Sequence, residues 1–265
     1  MLELRGVGYR YAGYARPALH DIDLVLADGE IVGVVGANEA GKSTLCLVGS
    51  GLAPASIGGG LTGTLTIDGE AMTGRPIHEL AQRVGLVFQN PATQLSGVAR
   101  SVFEEVALGP MNLGLEVPEI LERAHAALRT LQIEDLAERA PNRLSGGQSQ
   151  LVAIASLIAM RPRHIILDEP TAQLDPEGTR LVGQALRSVT ATGVAMLIVE
   201  HKTDLLDNLC DRIAVVENGS IVHDGPTAEA FEDERLTGWG VEPPSRIRLA
   251  RAVAAHGLDP ALVQA

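Results

Sequence analysis

The sequence is short of cysteine and of positive charge. Only two cysteines occur among 265 residues, Cys46 and Cys210, and they lie far apart and outside any metal-ligand spacing. This usage is expected in a reducing compartment, and we interpret both as small core residues. The 21 basic residues stand against 33 acidic ones, which gives a formal net charge of -12. Such a charge opposes the phosphate backbone of nucleic acid, so we expect no nucleic-acid partner.

Long apolar runs are also missing. The longest covers residues 151–160, about half of the ~20 residues that a membrane-spanning helix needs. The N-terminal stretch MLELRGVGYR contains no apolar signal core. We therefore expect a cytoplasmic protein in which any membrane role depends on a partner. With 46% apolar residues, the chain can bury a full core as one large domain, or as one domain with an added segment.

Four short apolar runs each end at residues that can do chemistry. Gln89, Asp168 and His201 follow three of them, and a glycine-rich loop follows the other. Continuous apolar runs separated by helical patterns are typical of buried parallel strands, and ligands bind at the carboxyl ends of such strands. We predict an α/β fold in which these ends line one crevice. The runs are residues 31–35, 84–88, 165–167 and 195–199.

Other segments have different patterns. Between Gln89 and Leu144 the pattern becomes helical, which indicates an inserted helical subdomain, and the first sixty-odd residues carry β signals. Residues 213–222 predict a hairpin around an Asn-Gly turn. The sequence pattern changes again at Pro226, and a short helix is predicted at residues 245–255, which we expect Ser245 to cap.

The loop after the first run has the phosphate-binding spacing G-x-x-x-x-G-K-[ST]. It lies between a strand-like run and a helical pattern, where backbone N–H groups and a helix N-terminus point at phosphate oxygens. Lys42 is predicted to reach the β and γ phosphates, and the Ser43 hydroxyl to bind Mg²⁺. The predicted nucleotide-binding residues of this loop are Gly36, Ala37, Asn38, Glu39, Ala40, Gly41, Lys42, Ser43 and Thr44.

Two further motifs accompany this loop. The run RHIILDE ends in two adjacent carboxylates, and neighbouring strand residues point in opposite directions. Asp168 is therefore suited to hold Mg²⁺ through its water shell, while Glu169 polarises an attacking water. The motif LSGGQ precedes a helical run, so Ser145 is expected to cap that helix, and the two glycines let backbone N–H groups approach an anion.

The order of these motifs resembles the nucleotide-binding domain of the ABC ATPase family over residues 1 to about 225. The resemblance implies a P-loop NTPase with a RecA-like core, an antiparallel β subdomain and a helical subdomain at about residues 95–143. It also implies that two copies bind two ATP molecules head to tail, each between the P-loop of one copy and the LSGGQ turn of the other. The turn residues implied to bind nucleotide are Ser145, Gly146, Gly147 and Gln148.

The same resemblance implies roles for single residues. Glu169 resembles the general base, and His201 resembles the switch histidine that contacts the γ-phosphate. Gln89 resembles the Q-loop glutamine that touches Mg²⁺ or its water and reports to the membrane partner. Asp175 resembles the D-loop aspartate at the dimer seam. Together these positions imply ATP hydrolysis with Mg²⁺ as the cofactor.

Around Gln89 the sequence indicates a branch of the family. VFQNPATQLSG, with Gln94, and VFEEVALGPMNLGL resemble the ATPases of energy-coupling factor transporters, and so does the tail GWGVEPPSRIRLARAVAAHGL. This implies uptake of a vitamin or transition-metal ion through a transmembrane coupling subunit and a membrane substrate-binding subunit. The chain would then lie on the cytoplasmic face of the membrane, with residues 226–265 as an extension that helps to pair two ATPase subunits. Homodimer and heterodimer are both allowed, and other importer ATPases remain an alternative.

Some positions depart from the family pattern or leave it open. Tyr11 resembles the aromatic residue that stacks on adenine, and Tyr9 is the weaker candidate because the register is ambiguous. Leu151 replaces a common arginine after LSGG. Glu39 stands where glycine is frequent, and a unit charge ~8 Å from a phosphate charge costs about 2 kcal/mol at an effective dielectric near 20. We therefore expect the Glu39 carboxylate at the solvated rim of the loop.

Two other functional classes fit the sequence less well. An ABC-type ATPase of DNA repair or chromosome organisation needs a long coiled-coil insertion, whereas only about 55 residues separate Gln89 from Leu144, without sustained heptads. A small-molecule P-loop kinase leaves LSGGQ and Asp175 unexplained. The sequence therefore favours a transport ATPase.

Overall fold

The computed structural model describes residues 1–256, and for Ala92 the backbone alone. These residues form an antiparallel sheet, a mostly parallel sheet and the helices that pack on them. Their strands are β1 (Leu2–Arg10), β2 (Leu19–Leu26), β3 (Ile31–Val35), β4 (Gly60–Ile67), β5 (Glu70–Ala71), β6 (Val84–Val87), β7 (His164–Asp168), β8 (Ala195–Val199), β9 (Arg212–Glu217) and β10 (Ser220–Pro226). Their α-helices are α1 (Lys42–Gly49), α2 (Leu52–Ala55), α3 (Ile77–Leu80), α4 (Val102–Asn112), α5 (Val117–Leu131), α6 (Gly146–Ala159), α7 (Pro176–Thr190), α8 (Thr203–Asp207), α9 (Thr227–Glu232) and α10 (Ser245–Ala255).

The parallel sheet carries all four predicted apolar runs. Its strand order is β10-β9-β3-β8-β7-β6, and every pair from β9 to β6 is parallel. All residues of β3 and β8 are buried, as expected of central strands covered on both faces. The α/β prediction is confirmed, and the carboxyl ends of these strands lie along one edge of the sheet.

Alternation along the strands divides the apolar core into two parts. In β7, Ile165 and Leu167 pack with the helices α4 to α7, whereas Ile166 faces the opposite side. On that opposite side, the antiparallel sheet and α1 share one core with the parallel sheet, as the residues Leu4, Ile22 and Leu45 illustrate. The antiparallel sheet has the order β2-β1-β4-β5 and confirms the predicted β subdomain.

The predicted hairpin and the predicted helical insertion are both present. β9 and β10 pair antiparallel through a two-residue turn in which Asn218 has a φ of 48° and Gly219 a φ of 83°. Both values are positive, as a type I′ turn requires. In α5, Ala124 and Leu128 are buried as the helical spacing predicts, but Leu121 is 44% exposed and lies outside the core.

The C-terminal segment packs onto the main domain. Phe231 is fully buried in the same core as the helices α4 to α7. The predicted cap of α10 is wrong, because Pro244 precedes the helix and the Ser245 hydroxyl instead donates to Asp204 Oδ2 at 2.7 Å. The backbone N–H of Ser245 donates to Oδ1 of the same carboxylate at 2.7 Å. Residues 257–265 of the predicted extension lie outside the described residues.

Within residues 1–256, no helix combines the length and the apolar character needed to cross a bilayer.

The burial of Phe231 generates the first prediction. Phe231→Ala should lower the free energy of unfolding of the chain by about 3–5 kcal/mol, because it leaves a cavity in the main core. Urea unfolding measures this change. The matched control is Leu249→Ala on α10, where the side chain is 54% exposed and the expected change is within about 0.5 kcal/mol. A change in unfolding free energy for Phe231→Ala as small as that of the control would show that the C-terminal segment is not part of the core.

Candidate active site

Two glycines of the P-loop are required by close approaches of the backbone. Gly36 has a φ of 150°, and a Cβ there would lie 2.1 Å from the carbonyl oxygen of Val216. Gly41 has a φ of 109°, and a Cβ there would lie 2.9 Å from the carbonyl oxygen of Ala18. Only glycine fits both positions without moving the neighbouring backbone. The loop is thus held against β9 and against the start of β2.

The first turn of α1 presents unpaired donors. The first helical hydrogen bond runs from Leu45 N to Gly41 O at 2.9 Å, so the N–H groups of residues 42–44 precede the helical ladder. The Lys42 ammonium is nearly buried and donates to the carbonyl oxygens of Gly36 at 2.9 Å and Ala37 at 2.8 Å. Burial lowers the pKa of Lys42, and the charges of Glu169 and Asp168 oppose this shift. This turn is suited to bind an anion.

A cavity of about 530 Å³ lies over the P-loop. Besides the loop it is walled by the β1–β2 connection, by Glu169 and by the turn of the β9–β10 hairpin. No sequence motif marks Arg16 as a cavity residue, and the Asn218 turn is predicted only as part of a hairpin. Arg16 is exposed, so no burial or spacing pattern marks it. The lining residues are Arg16, Pro17, Ala18, His20, Asn38, Glu39, Gly41, Lys42, Ser43, Thr44, Glu169, Asn218 and Gly219.

The hydroxyl of Ser43 and the carboxylate of Asp168 lie together at the end of β7. Ser43 Oγ donates to Asp168 Oδ1 at 3.1 Å. Burial raises the pKa of Asp168, and the hydrogen bond from Ser43 opposes that shift. Among residues 1–256, no group of three or more His, Cys, Asp or Glu side chains forms a metal cage. Mg²⁺ commonly binds through one or two protein oxygens, waters and substrate phosphates, so the Ser43 and Asp168 pair fits this ion.

Glu169 joins the ends of three parallel strands. Its Oε2 accepts a hydrogen bond from Gln89 Nε2 at 2.8 Å, and its Oε1 lies 3.1 Å from His201 Nε2. The backbone N–H of Glu169 donates to the carbonyl oxygen of Val199 at 2.9 Å, and its φ is 49°. The carboxylate is therefore oriented from both sides at the cavity wall, where it can accept a proton from a bound water.

The two candidate tyrosines have different environments. Tyr9 is 1% exposed, and its hydroxyl donates to the carbonyl oxygen of Gly58, so it cannot stack on a ligand. The weaker candidate is therefore wrong. Tyr11 is half-buried, and its hydroxyl lies 3.1 Å from Oγ1 of Thr44 in the P-loop helix. This position is compatible with the expected contact to adenine, which stays a prediction.

Glu39 lies exposed on the cavity wall with a φ of 63°. Left-handed backbone costs about 1–2 kcal/mol for a residue that carries a Cβ, which is a physical reason for glycine at this position. The outward orientation expected for its carboxylate stays a prediction.

The LSGGQ turn forms a capping box at the start of α6. Ser145 Oγ accepts from Gln148 N at 3.3 Å, and Gln148 Oε1 accepts from Ser145 N at 3.1 Å, which confirms the predicted cap. A Cβ at Gly147 would lie 3.0 Å from Gly178 Cα on α7, so these helices meet closely. Asp175 caps α7 by accepting from Gly178 N at 2.7 Å. Of the described residues, those that line the P-loop cavity include none of positions 145–148 or 175.

Gln94 and Glu105 fasten the loop that follows Gln89. Gln94 Oε1 accepts from Phe88 N at 3.1 Å, and its Nε2 donates to Leu86 O at 3.2 Å. Glu105 of α4 is 5% exposed and accepts from both N and Oγ of Ser96 at 2.7 Å. The segment is thus tied to β6 at one end and to α4 at the other.

Comparison with known proteins identifies the family. Residues 19–172 match the family model described as ABC transporter. The chain is 39% identical over 238 residues to the energy-coupling factor transporter ATP-binding protein EcfA of Methanosphaera stadtmanae, a match that covers 89% of this chain and 83% of that protein. The chain therefore belongs to the ABC transporter family, and it is the ATPase subunit of such a transporter.

Two solved structures are similar to the fold. CbiO1 from Clostridium perfringens, part of the ABC transporter complex cbiONQ, has a TM-score of 0.79 and 30% identity over 95% of this chain and 93% of its own. The ATP-binding cassette MJ0796, as a dimer in a post-hydrolysis state with ADP and Pi, has a TM-score of 0.72 and 27% identity over 86% of this chain and 99% of its own. A cassette of similar structure thus forms a dimer that binds ADP and Pi.

The backbone at Glu39 generates a prediction that separates strain from charge. Glu39→Gly should raise the free energy of unfolding by up to about 1 kcal/mol, because glycine has no Cβ and adopts the left-handed conformation without steric strain. Glu39→Ala removes the carboxylate but keeps the Cβ, so it should give no such gain. Thermal unfolding measures both. ATP affinity should change less than about tenfold, or 1.4 kcal/mol, in either variant. A larger gain in both would mean that the carboxylate faces the phosphates.

Proposed function

We propose that the chain hydrolyses ATP as a subunit of an energy-coupling factor importer, which takes up a vitamin or transition-metal ion through separate membrane subunits. The observation that carries the hydrolytic part is Glu169, held between Gln89 and His201 on the wall of the P-loop cavity. The branch is supported by the likeness to EcfA and to a protein of the cbiONQ complex.

Binding of the triphosphate falls to the first turn of α1. The N–H groups of residues 42–44 would donate to the phosphate oxygens, the Lys42 ammonium would turn toward those oxygens, and Tyr11 would stack on the adenine ring. Ser43 and Asp168 would hold Mg²⁺, with Gln89 close to the ion or to one of its waters. Bound there, Mg²⁺ neutralises phosphate charge.

The hydrolytic step falls to Glu169. Its carboxylate orients a water in line with the γ-phosphate and accepts a proton from it as the water oxygen attacks phosphorus. The bond from the γ-phosphorus to the β–γ bridging oxygen breaks in the same step, so that ADP is the leaving group and inorganic phosphate is formed. His201 then contacts the γ-phosphate oxygens and stabilises their charge. Glu169 Oε1 and His201 Nε2 lie 3.1 Å apart, so the proposed base and the proposed charge-stabilising group are already next to each other.

A second ATPase subunit completes the site. The Ser145 turn and Asp175 do not line the cavity of their own chain, so their expected role requires the turn of one copy to face the P-loop of another. The dimeric cassette of similar structure supports this arrangement. Every half-site motif is present in this chain, and both a homodimer and a heterodimer satisfy the geometry.

The membrane partner is proposed to bind beside the Gln89 loop. Val98 on this loop is 76% exposed, and Met111 and Val117 on the helical subdomain are 55% and 64% exposed. Where such side chains form one contiguous apolar patch, they mark a protein contact. A transmembrane coupling subunit docked here would place the chain at the cytoplasmic face of the membrane. In this proposal residues 1–225 are the nucleotide-binding domain, and residues 226–265 contribute to the contact between ATPase subunits.

Copurification tests the transport assignment. The tagged chain, expressed in its native cell and extracted with detergent, should bring down a coupling subunit and a small substrate-binding membrane protein that holds a vitamin or metal ion. Val98→Glu should lose these partners while binding ATP normally. The matched control is Ile57→Glu, an exposed apolar position at 42% outside this surface, which should keep them. Isolation with a different class of membrane protein would contradict the energy-coupling factor assignment.

Substitution of the proposed base tests the hydrolytic mechanism. Glu169→Gln should bind ATP within about threefold of the parent chain but lower kcat at least about a hundredfold, because the amide accepts no proton. It should also accumulate as an ATP-bound dimer, measured by light scattering. Lys42→Ala is the comparison, since it should lose nucleotide binding itself. Normal turnover by Glu169→Gln would remove Glu169 as the base.

A further inference from the structure

A second carboxylate, Glu200, is buried directly behind the site. It follows the last residue of β8, immediately precedes His201, and is 1% exposed. Its Oε2 accepts hydrogen bonds from Thr171 N at 3.2 Å and from Thr171 Oγ1 at 2.5 Å. Its Oε1 accepts from the backbone N–H groups of His201 at 2.8 Å and Lys202 at 3.3 Å.

These hydrogen bonds join two loops that carry different parts of the site. Thr171 lies two residues after Glu169, in the loop that leads from β7 to α7, and it is fully buried. His201 lies in the loop that follows β8. The Lys202 ammonium reinforces the same junction by donating to Thr171 O at 2.9 Å and to Thr179 Oγ1 at 2.6 Å. Glu200 thus forms a hydrogen-bonded bridge between the loop that contains Glu169 and the loop that contains His201.

A buried carboxylate is costly unless its oxygens are well paired, so its place here calls for a reason. The His201 imidazole has little other restraint, since it is 42% exposed. A contact of 3.1 Å between an exposed imidazole and Glu169 depends on the backbone positions of both residues. The hydrogen-bonded bridge through Glu200 fixes the backbone positions of these two loops.

We propose that Glu200 is a positioning residue for ATP hydrolysis, which acts through Thr171 and the backbone of His201 to keep the Glu169 carboxylate and the His201 imidazole in register. The inference rests on the roles proposed above for Glu169 and His201. Glu200 itself lies behind the strand ends and is not among the residues that line the nucleotide cavity.

The pattern of donors makes glutamine a sharp probe. Each carboxylate oxygen of Glu200 accepts from two donors, so an amide of the same shape must direct its NH₂ group at two N–H or O–H donors on one side. Thr171→Val removes the hydroxyl donor at nearly constant volume. Thr171→Ser keeps the hydroxyl and serves as the matched control.

The experiment measures kcat, ATP affinity and melting temperature for each variant. Glu200→Gln should lower kcat at least about tenfold, because small misplacement of catalytic groups has large effects on rate. ATP affinity should stay within about threefold, since the P-loop is untouched. Thr171→Val should lower kcat several-fold, and Thr171→Ser should match the parent chain. A kcat for Glu200→Gln equal to that of the parent, or a loss of affinity that parallels the loss of kcat, would overturn the proposal.

A double-mutant cycle separates positioning from general stabilisation. In a His201→Ala chain, which lacks the group being positioned, Glu200→Gln should lower kcat less than half as much, on a logarithmic scale, as in the parent. Fully additive losses would overturn the proposal. If Glu200→Gln does not fold, the comparison of Thr171→Val with Thr171→Ser decides, and a normal kcat in Thr171→Val refutes positioning.

The same cycle distinguishes failure of the inference from failure of the proposed function. If His201→Ala alone leaves turnover unchanged, the proposed role of His201 is wrong. If His201→Ala lowers turnover and Glu200→Gln does not, only the role of Glu200 is wrong.

Discussion

The site depends on one carboxylate that binds the ends of three parallel strands together. Glu169 directly follows β7, accepts a hydrogen bond from Gln89 after β6, and contacts His201 after β8. Parallel strands place their carboxyl ends at the same edge, but they leave the side chains there free to diverge. The hydrogen bonds of Glu169 remove that freedom at the surface, and those of Glu200 remove it in the layer beneath. Glu169, which is half-buried, and Glu200, which is buried, thus tie the segments that follow β6, β7 and β8 to one another.

Two apolar cores support this edge of the sheet, one on each face. One core lies between the parallel sheet and the helices α4 to α7, and the other lies between the same sheet and the antiparallel sheet with α1. The P-loop is pressed against β9 at Gly36 and against Ala18 at Gly41, so its backbone has little room to move. A charged ligand therefore meets preorganised donors rather than a flexible loop, which is the condition under which electrostatic stabilisation is strongest.

Much of the arrangement could be predicted from the sequence because it is local. Continuous apolar runs identify the buried strands, the glycine spacing identifies the P-loop, and a serine three residues before a glutamine identifies the cap of α6. Long-range contacts could not be predicted in this way. Ser245 fails as a cap because Asp204, distant in sequence, takes both its hydroxyl and its N–H. Tyr9 is buried because bulges in β1 shift the alternation of its residues between Leu4 and Tyr9. The role of Glu200 could not be predicted either, because Thr171, which donates to its Oε2, lies in the loop after β7 and is distant in sequence.

The central claim is that ATP bound at the P-loop is fully enclosed only when a second subunit supplies the Ser145 turn. A crystal structure of the Glu169→Gln chain with ATP and Mg²⁺ tests it most directly. The account predicts a head-to-tail dimer in which Ser145 of one copy lies within about 3 Å of a γ-phosphate oxygen bound at the P-loop of the other. A structure with ATP bound, in which every dimer leaves the Ser145 turn remote from any γ-phosphate, would contradict the account.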